Sequence, residues 1–302
     1  MAMPNNHLTM ESQEKLNDIL CCPECYYNLI KDEDLTCHSC RKHYPIYNGI
    51  PVPISDIELQ NQIADDRIDQ MHLKEIIKSK IPMPDERLWS PKAKKLIKKI
   101  LIEKNPESPN TYVVNMGSGV ESFYKKIFIS FKSLIRIGVP HSGYVNAYSD
   151  AMSLPLKSNS VDLFISSSVI EHLPDPEKAV SELFRTIKPG GLVYAEIPFI
   201  GAYHMAPHDY QRYTISGIEA LFSRHGFLFQ NKGICSGPVT AVVLLIQHAI
   251  VEAIPFGPIQ FLLRVILTWL FHPLKYLDYF FSRLKWGEYL ACNFFYLGRK
   301  PE

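Results

Sequence analysis

Residues 111–119 read Thr-Tyr-Val-Val-Asn-Met-Gly-Ser-Gly, an apolar run that ends in a short glycine turn. Three further apolar runs of strand length follow along the chain, at 134–139, 161–166 and 192–197. Before the last of them, Asp175 and Pro176 supply the capping carboxylate and the first-turn proline of a helix. Strand, glycine turn, helix and strand in this order are typical of a doubly wound parallel sheet. The sequence therefore predicts an α/β fold.

The glycine turn after the first strand is a candidate binding site. Gly117 and Gly119 carry no Cβ, so the backbone there can approach a ligand closely. The helix that follows such a turn offers free N–H groups to a carboxylate or a phosphate. Ligands of doubly wound sheets bind outside the carboxyl ends of the strands, which is where this turn falls. A simple tight turn is the alternative.

Three further motifs follow in order and are specific as a set. They read Asp-Ala-Met-Ser-Leu-Pro at 150–155, Glu-His-Leu-Pro-Asp-Pro at 171–176 and Lys-Pro-Gly-Gly at 188–191. With these motifs, residues 111 to 200 resemble the class I S-adenosylmethionine-dependent methyltransferases. The resemblance implies a Rossmann-like sheet and S-adenosylmethionine as the cofactor.

The resemblance also implies a role for each matching position. The cofactor-binding residues that it implies are Asn115, Gly117, Ser118, Gly119, Gly138, Asp150, Ala151, Met152 and Ser166. The turn 117–119 would lie against the methionine part of the cofactor, and Ser166 would lie below the sulfonium. Asp150 would accept from the adenine amino group, with Ala151 and Met152 flanking the ring. A helix cap at Asp150 and strand packing of the serines are the alternatives.

Two positions depart from the family pattern. Asn115 stands where the family usually has an acid at the end of the first strand. Gly138 stands where the second strand normally ends in the carboxylate that takes both ribose hydroxyls. A charged acceptor of this kind contributes on the order of 1–3 kcal/mol, so its absence predicts weaker cofactor binding. A non-catalytic fold retained as an interaction module is the alternative that these departures favour.

A polar and aromatic segment, residues 198–214, follows the strand at 192–197. It resembles the H-x-x-P-x-D-Y-x-R-Y-T segment of bacterial methyltransferases with a zinc-ribbon head, many of them associated with surface-glycan biosynthesis. The resemblance implies a general base at His204 or His208, because imidazole titrates near neutral pH. The catalytic candidates are His204, His208, Asp209 (which would orient a histidine) and His172, and the substrate candidates are Tyr210 and Arg212. A lid that closes over the cofactor without proton transfer is the alternative.

Near the N-terminus, two Cys-x-x-Cys pairs are separated by eleven residues: Cys22 with Cys25, and Cys37 with Cys40. This spacing is typical of a tetrahedral zinc site in which each pair forms one knuckle. About fifty residues cannot build a sufficient apolar core, so we expect a structural zinc with no open coordination position. A disulfide-linked secreted module is disfavoured by the lack of a signal-peptide pattern and by three further cysteines. Residues 22–52 resemble the zinc-ribbon activator subunit of some tRNA and release-factor methyltransferases.

The 302-residue chain has room for one full-sized domain and a small appendage. We predict three parts: a zinc ribbon over 1–56, a helical linker over 57–110 with helices at 63–78 and 91–103, and a methyltransferase domain over 111–302. A last antiparallel hairpin should close the sheet, with an apolar helical insertion at about 238–288 inside it.

The apolar stretch 239–281 has three interpretations: helices packed on the body, a face lying on a membrane, or a homodimer interface. A spanning helix is disfavoured by four residues, namely Gly237, Pro238, Gln247 and His248. The net charge of +1 gives no footprint for nucleic acid, which disfavours rRNA or tRNA methylation as an alternative. We expect O-methylation of a small molecule, glycan or lipid-linked intermediate in the cytoplasm, with membrane association as an option.

Overall fold

A computed structural model describes residues 9–31, 33–64, 88–117, 131–139 and 145–302. Within these ranges the helices are α1 (Met10–Ile19), α2 (Ile57–Ala64), α3 (Pro91–Lys104), α4 (Pro176–Thr186), α5 (Ile215–Arg224), α6 (Pro238–Glu252), α7 (Gly257–Phe271) and α8 (Asp278–Phe281). Short 3-10 helices occupy Ile170–His172, His272–Leu277 and Lys285–Leu290. The strands are β1 (Leu29–Lys31), β2 (Leu35–Cys37), β3 (His43–Tyr44), β4 (Ile46–Tyr47), β5 (Ile50–Pro51), β6 (Val113–Met116), β7 (Ile135–Gly138), β8 (Ala147–Tyr148), β9 (Val161–Ser167), β10 (Ile187–Pro198), β11 (Leu228–Ser236) and β12 (Asn293–Arg299).

Seven of these strands form one sheet in the order β11-β12-β10-β9-β6-β7-β8. β12 runs antiparallel to both of its neighbours, and the other paired strands are parallel. The carboxyl ends of the parallel strands therefore share one edge of the sheet, which we call the carboxyl edge. This order confirms the predicted doubly wound sheet and its closing antiparallel strand.

The sheet is covered on both faces, as a buried parallel sheet requires. On β9, Phe164 lies in the core beneath α4 and α5, whereas Leu163 and Ile165 lie in a second core beneath α3. This alternation follows from the two-residue period of a strand. The apolar stripe of α3, including Ile97 and Leu101, lies in that second core, so the amphipathic helix predicted at 91–103 is confirmed.

The N-terminal part packs on the first face of the same sheet. Leu16 and Ile19 of α1 share one apolar core with Ile135 and Ile137 of β7. Strands β1, β2 and β3 form a small antiparallel sheet, and β4 and β5 form a hairpin beside it. The helix predicted at 63–78 falls mostly outside the described residues, and the three domain boundaries stay predictions.

The insertion of 237–292 lies between β11 and β12, as the sequence predicted, and is helical. It rises from the carboxyl edge, because Ser236 at the end of β11 pairs with Asn293, which in turn pairs with Pro198 at the end of β10. The buried carboxylate of Asp278 caps α6 by accepting from Val239 N at 2.8 Å and from Thr240 N at 3.0 Å. Among the described residues, no helix combines the length and apolarity needed to cross a bilayer.

Arg185, near the end of α4, joins three parts of the fold. Its guanidinium binds the Glu182 carboxylate through Nε and Nη2, both at 2.7 Å. It also donates to the backbone oxygens of Leu154 at 2.9 Å and Leu156 at 2.7 Å. The same group lies 4.0 Å from the ring centre of Tyr26, within the N-terminal module. One planar cation thus ties α4 to the segment 150–158 and to the cysteine-rich module.

We expect Arg185→Lys to lower the free energy of unfolding by about 3 kcal/mol, because an ammonium cannot reproduce a bidentate, stacked guanidinium. Urea unfolding measures the change. Arg224→Lys is the matched control: its pair with Glu177 is exposed, so the substitution should cost no more than about 0.5 kcal/mol. Equal effects of the two substitutions would show that Arg185 has no special structural role.

Candidate functional site at the carboxyl edge

The turn after β6 is built on a glycine that cannot be replaced without movement. Gly117 has a φ of +73°, and its N–H donates to Ile137 O at 3.0 Å. A Cβ at this position would lie 2.1 Å from Val169 Cγ2. The turn therefore needs glycine both for its left-handed backbone and for its close approach to the end of β9. Ser118 and Gly119 lie outside the described residues.

The predicted adenine segment follows β8, next to the end of β7. Ser149 N donates to Gly138 O at 2.8 Å, which places the end of β7 beside this segment. Asp150 Oδ1 accepts from Met152 N at 2.8 Å, so one carboxylate oxygen closes a turn and does not cap a helix, which was the alternative for this residue. Burial raises the pKa of Asp150. Ala151 is buried in the core and Met152 is half-buried.

The end of β9 carries three serines with different surroundings. Ser166 is fully buried, and its Oγ has no hydrogen-bond partner among the described residues. Ser167 Oγ donates to Glu196 Oε2 at 3.0 Å. Ser168 has a φ of +53°, an uncommon value for a residue with a side chain, and such outliers cluster at functional sites. The sequence reasoning did not single out Glu196, although a carboxylate inside an apolar strand was a visible signal.

The loop 198–214 lies against the 3-10 helix that follows β9. His172 Nδ1 lies 2.5 Å from His208 O, Tyr210 N donates to Glu171 O at 3.0 Å, and Gln211 Nε2 donates to Leu173 O at 2.7 Å. These contacts bring two segments that are about thirty residues apart in sequence to the same end of the sheet. Glu171 is fully buried at this junction.

His204 lies beside His172, as the sequence had placed both in one site. The two rings are 4.8 Å apart between centres and meet edge to face. One ligand-type atom from each of Glu171, His172 and His204 lies within 4.8 Å of the other two. His204 Nδ1 lies 3.2 Å from Ala202 O and 3.3 Å from Asp209 Oδ2. Burial lowers the pKa of His204, and the charges of His172 and Arg212 lower it further against the opposing effects of Ala202 O and Asp209.

Asp209 and Arg212 form a nearly buried ion pair within the loop. Arg212 donates to Asp209 Oδ1 at 2.5 Å and to Oδ2 at 2.7 Å, and these bonds lower the pKa of Asp209 to about 2. Arg212 also donates to Ala202 O at 3.1 Å. The predicted role of Arg212 in binding an acidic substrate group would require this pair to open. His208 and Tyr210 lie on the exposed side of the loop, 3.2 Å apart between Nδ1 and Oη.

The four cysteines of the N-terminal module converge, as predicted. Their Sγ atoms all lie within 4.8 Å of one another, with Cys22 to Cys40 at 3.6 Å and Cys25 to Cys37 at 3.4 Å. A tetrahedral zinc with Zn–S bonds of about 2.3 Å requires sulfur atoms roughly 3.8 Å apart. The two knuckles have matching backbones, because Tyr26 and Arg41, the residues after each pair, both have a φ of 60°. The donor set is therefore compatible with zinc.

The cysteine module docks directly on the predicted adenine segment. Cys21 N donates to Pro155 O at 2.9 Å, and Ser153 Oγ donates to Pro23 O at 3.2 Å. Leu20 and Leu156 form a β-bridge beside these bonds. The first knuckle and the segment 150–158 thus form one packed unit.

Two family models match the chain. The Trm112p-like protein family matches residues 13–49, and the methyltransferase domain family matches residues 138–195. An uncharacterized methyltransferase of Mycobacteroides abscessus is 45% identical over 53 residues, which are 18% of this chain and 20% of that protein. One of Mycobacterium bovis is 52% identical over 42 residues, which are 14% of this chain and 16% of that protein. The matched regions thus span about a fifth or less of these relatives.

Solved structures were also compared with the chain. Haemonchus contortus phosphoethanolamine N-methyltransferase 2 has a TM-score of 0.44 at 18% identity, covering 68% of this chain and 52% of that one. A chain from the Haloferax volcanii complex of the Trm112 methyltransferase activator has a TM-score of 0.42 at 15% identity, covering 81% and 98%. Both scores are below 0.5, so the fold assignment rests on the strand order. The chain thus combines an N-terminal region that matches the Trm112p-like family with a doubly wound sheet, part of which matches the methyltransferase domain family.

Proposed function

We propose that this protein is an S-adenosylmethionine-dependent methyltransferase that methylates a hydroxyl group of a small molecule, glycan or lipid-linked intermediate. The observation that carries the proposal is the convergence at one sheet edge of the Gly117 turn, Asp150 and the His172–His204 pair. The first two suit a cofactor and the third suits an acceptor. Ligands of this sheet type bind at that edge.

Three features of the described residues fit the cofactor. The turn at Gly117 leaves no room for a Cβ, so its backbone can lie against the methionine part. The orphaned Oγ of buried Ser166 is a polar atom that a ligand would satisfy. Asp150 Oδ2 has no hydrogen-bond partner within the described ranges, so it can accept from an adenine amino group while Oδ1 closes its turn. The chemistry that S-adenosylmethionine supplies when bound is an electrophilic methyl group on a sulfonium.

His204 is the residue that we propose as the general base. Three groups surround Nδ1: the acceptors Ala202 O at 3.2 Å and Asp209 Oδ2 at 3.3 Å, and the donor Arg212 Nη2 at 3.2 Å. The proposal takes the tautomer that the two acceptors favour, with the ring proton on Nδ1 and the lone pair on Nε2. A neutral ring can then take a proton from an acceptor hydroxyl at Nε2. Asp209 Oδ2, which is held by Arg212, orients this imidazole through Nδ1, and this is the role predicted for Asp209.

The exposed side of the loop favours a polyhydroxylated acceptor. Tyr203 and Tyr210 expose 63% and 51% of their surface near the histidines. Tyrosine offers an apolar ring face together with a polar tip, which suits a sugar better than a purely apolar substrate. This supports the glycan or lipid-linked class over other small molecules.

We also propose that the four cysteines bind one structural zinc ion. Four thiolates fill a tetrahedral site, so the metal holds the module together and leaves no position for a substrate. Tyr44, buried below the cluster, places its hydroxyl 3.1 Å from Cys22 Sγ and supports that ligand.

The absent ribose acid predicts how cofactor affinity responds to mutation. Wild-type protein should bind S-adenosylmethionine in calorimetry, and Gly138→Asp should bind it roughly tenfold to a hundredfold more tightly, because a charged acceptor is restored. Val139→Asp, on the exposed neighbour, is the control and should change nothing. Gly117→Ala should abolish binding. If wild-type protein fails to bind millimolar cofactor, the enzyme proposal is wrong and the interaction-module alternative stands.

The lowered pKa of His204 predicts the pH dependence of the reaction. The imidazole acts as a base only when it is neutral. Because its pKa is lowered, the reaction rate should stay constant as the pH falls toward 6.5, the ordinary pKa of histidine, and should decrease only at lower pH. His204→Gln should lower kcat about 100-fold and remove this acid limb. Transfer of labelled methyl groups to a pool of nucleotide sugars and extracted lipids measures both effects.

His225→Gln is the control for this experiment, because His225 pairs with Glu177 on the surface of α4 and α5. Loss of activity in EDTA, with the cysteine site still loaded, would contradict the base role. It would instead indicate a metal ion held by Glu171, His172 and His204.

The docked cysteine module predicts a link between zinc content and cofactor affinity. Elemental analysis should find one zinc per chain, and Cys37→Ser should lose it and weaken cofactor binding about tenfold, because the first knuckle supports the segment 150–158. Cys292→Ala removes a buried cysteine outside the cluster and should retain the zinc. A zinc-free chain with unchanged cofactor affinity would show that the module does not support the pocket.

A further inference from the structure

The helices inserted between β11 and β12 expose large apolar side chains to an unusual extent. On α6 the exposed residues include Val242 and Ile246, and on α7 they include Leu262, Ile266, Trp269 and Leu270. We call the exposed side chains of these two helices the apolar face. Isolated exposed apolar residues are normal on protein surfaces, whereas a contiguous face of this kind marks an interaction site.

The polarity of α7 is reversed relative to a helix that faces water. Its polar residues Gln260, Arg264 and Thr268 are spaced four apart and lie on one side of the helix. That side is turned toward α6, where Gln247 Nε2 donates to Thr268 Oγ1 at 2.7 Å. Gln247 and Thr268 are both buried. An amphipathic helix on a water-soluble protein buries its apolar stripe and exposes its polar one.

Two further contacts complete the polar side of α7. Gln260 Nε2 donates to Ile254 O at 2.6 Å, and Arg264 Nη2 lies 3.1 Å from Glu252 Oε1. The polar groups of this side thus bind one another, the Arg264–Glu252 pair at its exposed margin, while Gln247 Oε1 has no hydrogen-bond partner among the described residues. The large apolar groups are turned outward. This is the arrangement that an apolar solvent requires.

The extent of the apolar face favours lipid over a second copy of the chain. At 3.6 residues per turn, the exposed apolar positions from Ile259 to Leu270 span about half of the circumference of α7, which is wider than the roughly 100° stripe of a helix packed on protein. A protein interface covers one stripe of a helix, whereas acyl chains surround it. α6 and α7 have 15 residues each, or about 22 Å, which is less than the roughly 30 Å hydrocarbon core. Helices of this length suit a position within one leaflet or its interface.

A basic cleft lies beside the start of α6, because its lining includes Asp278, which caps that helix. Its volume is about 800 Å³, and its lining includes four cationic side chains, Lys92, Lys232, Arg283 and Lys285. Lys232 also pairs with Glu219. The acidic residues in the lining are Asp278, which caps α6, and Glu288. The excess of positive charge complements anionic headgroups, each cation near such a surface contributing about 1 kcal/mol.

We propose that the apolar face and the basic cleft together bind the surface of an anionic lipid bilayer, without spanning it. The insertion rises from the carboxyl edge of the sheet, so the docked surface adjoins the edge that carries the candidate site. This proposal does not depend on the enzymatic one, because vesicle binding is measured without cofactor or acceptor.

Flotation of the full chain with vesicles tests the apolar face. Wild-type protein should float with vesicles that contain phosphatidylglycerol, and the double variant Leu262→Glu, Leu270→Glu should bind them at least about 100-fold more weakly. Ile102→Glu is the matched control: Ile102 is 62% exposed on α3, against 63% for Leu270, and its replacement should change nothing. The proposal is wrong if wild-type protein floats with neither anionic nor neutral vesicles. It is also wrong if the double variant binds vesicles as tightly as wild type.

The contribution of the cleft is tested separately. Arg283→Gln with Lys285→Gln should weaken binding to anionic vesicles about 20-fold and leave binding to phosphatidylcholine vesicles unchanged. Lys95→Gln with Lys98→Gln, two exposed cations of α3, is the control and should behave as wild type. Equal effects of the two pairs would remove the cleft from the proposal and leave a general charge effect.

Light scattering decides between the membrane and a second copy. The proposal expects the wild-type chain and the leucine variant to have the same oligomeric state. A wild-type dimer that the leucine variant dissociates, with no vesicle binding by either, would show that the face joins two copies. Unchanged circular dichroism and urea unfolding of the variants confirm that each is folded.

Discussion

The packing of α4, the segment 150–158 and the cysteine module against one another depends on the planar guanidinium of Arg185. It binds the Glu182 carboxylate on α4, the backbone oxygens of Leu154 and Leu156, and the ring of Tyr26 in the cysteine module. Glu182 Oε2 in turn accepts from Leu154 N at 2.8 Å. Removing one partner of a buried charged pair leaves the other unsatisfied, at a cost larger than that of an ordinary hydrogen bond. We therefore infer that α4, the segment 150–158 and the cysteine module behave as one structural unit.

Because of this contact, the cysteine module stabilises more of the fold than its own residues. A structural zinc contributes about 10–16 kcal/mol of binding free energy in small domains, and that energy becomes folding energy of the residues it orders. Here the first knuckle hydrogen-bonds Ser153 and Pro155, within the segment proposed to hold adenine. A zinc bound in the module would thus also order one wall of the proposed cofactor pocket. We infer that the module stabilises the cofactor pocket from outside and contributes no group to the reaction.

The parts of this structure that the sequence predicted are those with local signals. Strands β6 and β9 and the turn at Gly117 follow from apolar runs that end in small residues, and the cysteine cluster follows from spacing alone. Helix α1 was missed, because its contribution to the core comes from few residues, such as Leu16 and Ile19. The sequence placed Arg212 in the site but did not predict its ion pair with Asp209. The conformation of the loop decides whether this side chain binds a substrate or Asp209. Contacts such as Ser167 with Glu196 depend on strand register, which single positions do not reveal.

The position of the insertion links the lipid surface to the site. The loop 198–214 begins with Phe199 N donating to Cys292 O at 2.8 Å and Ile200 N to Ala291 O, so its first residues are bonded to the last residues of the insertion. A surface bound through α6 and α7 would thus adjoin the loop that carries His204. Tethering an enzyme and its acceptor to one layer converts their encounter into a local one, with an effective concentration set by geometry. A lipid-linked acceptor would then need few direct contacts in the pocket, which agrees with a loop whose Arg212 is already committed to Asp209.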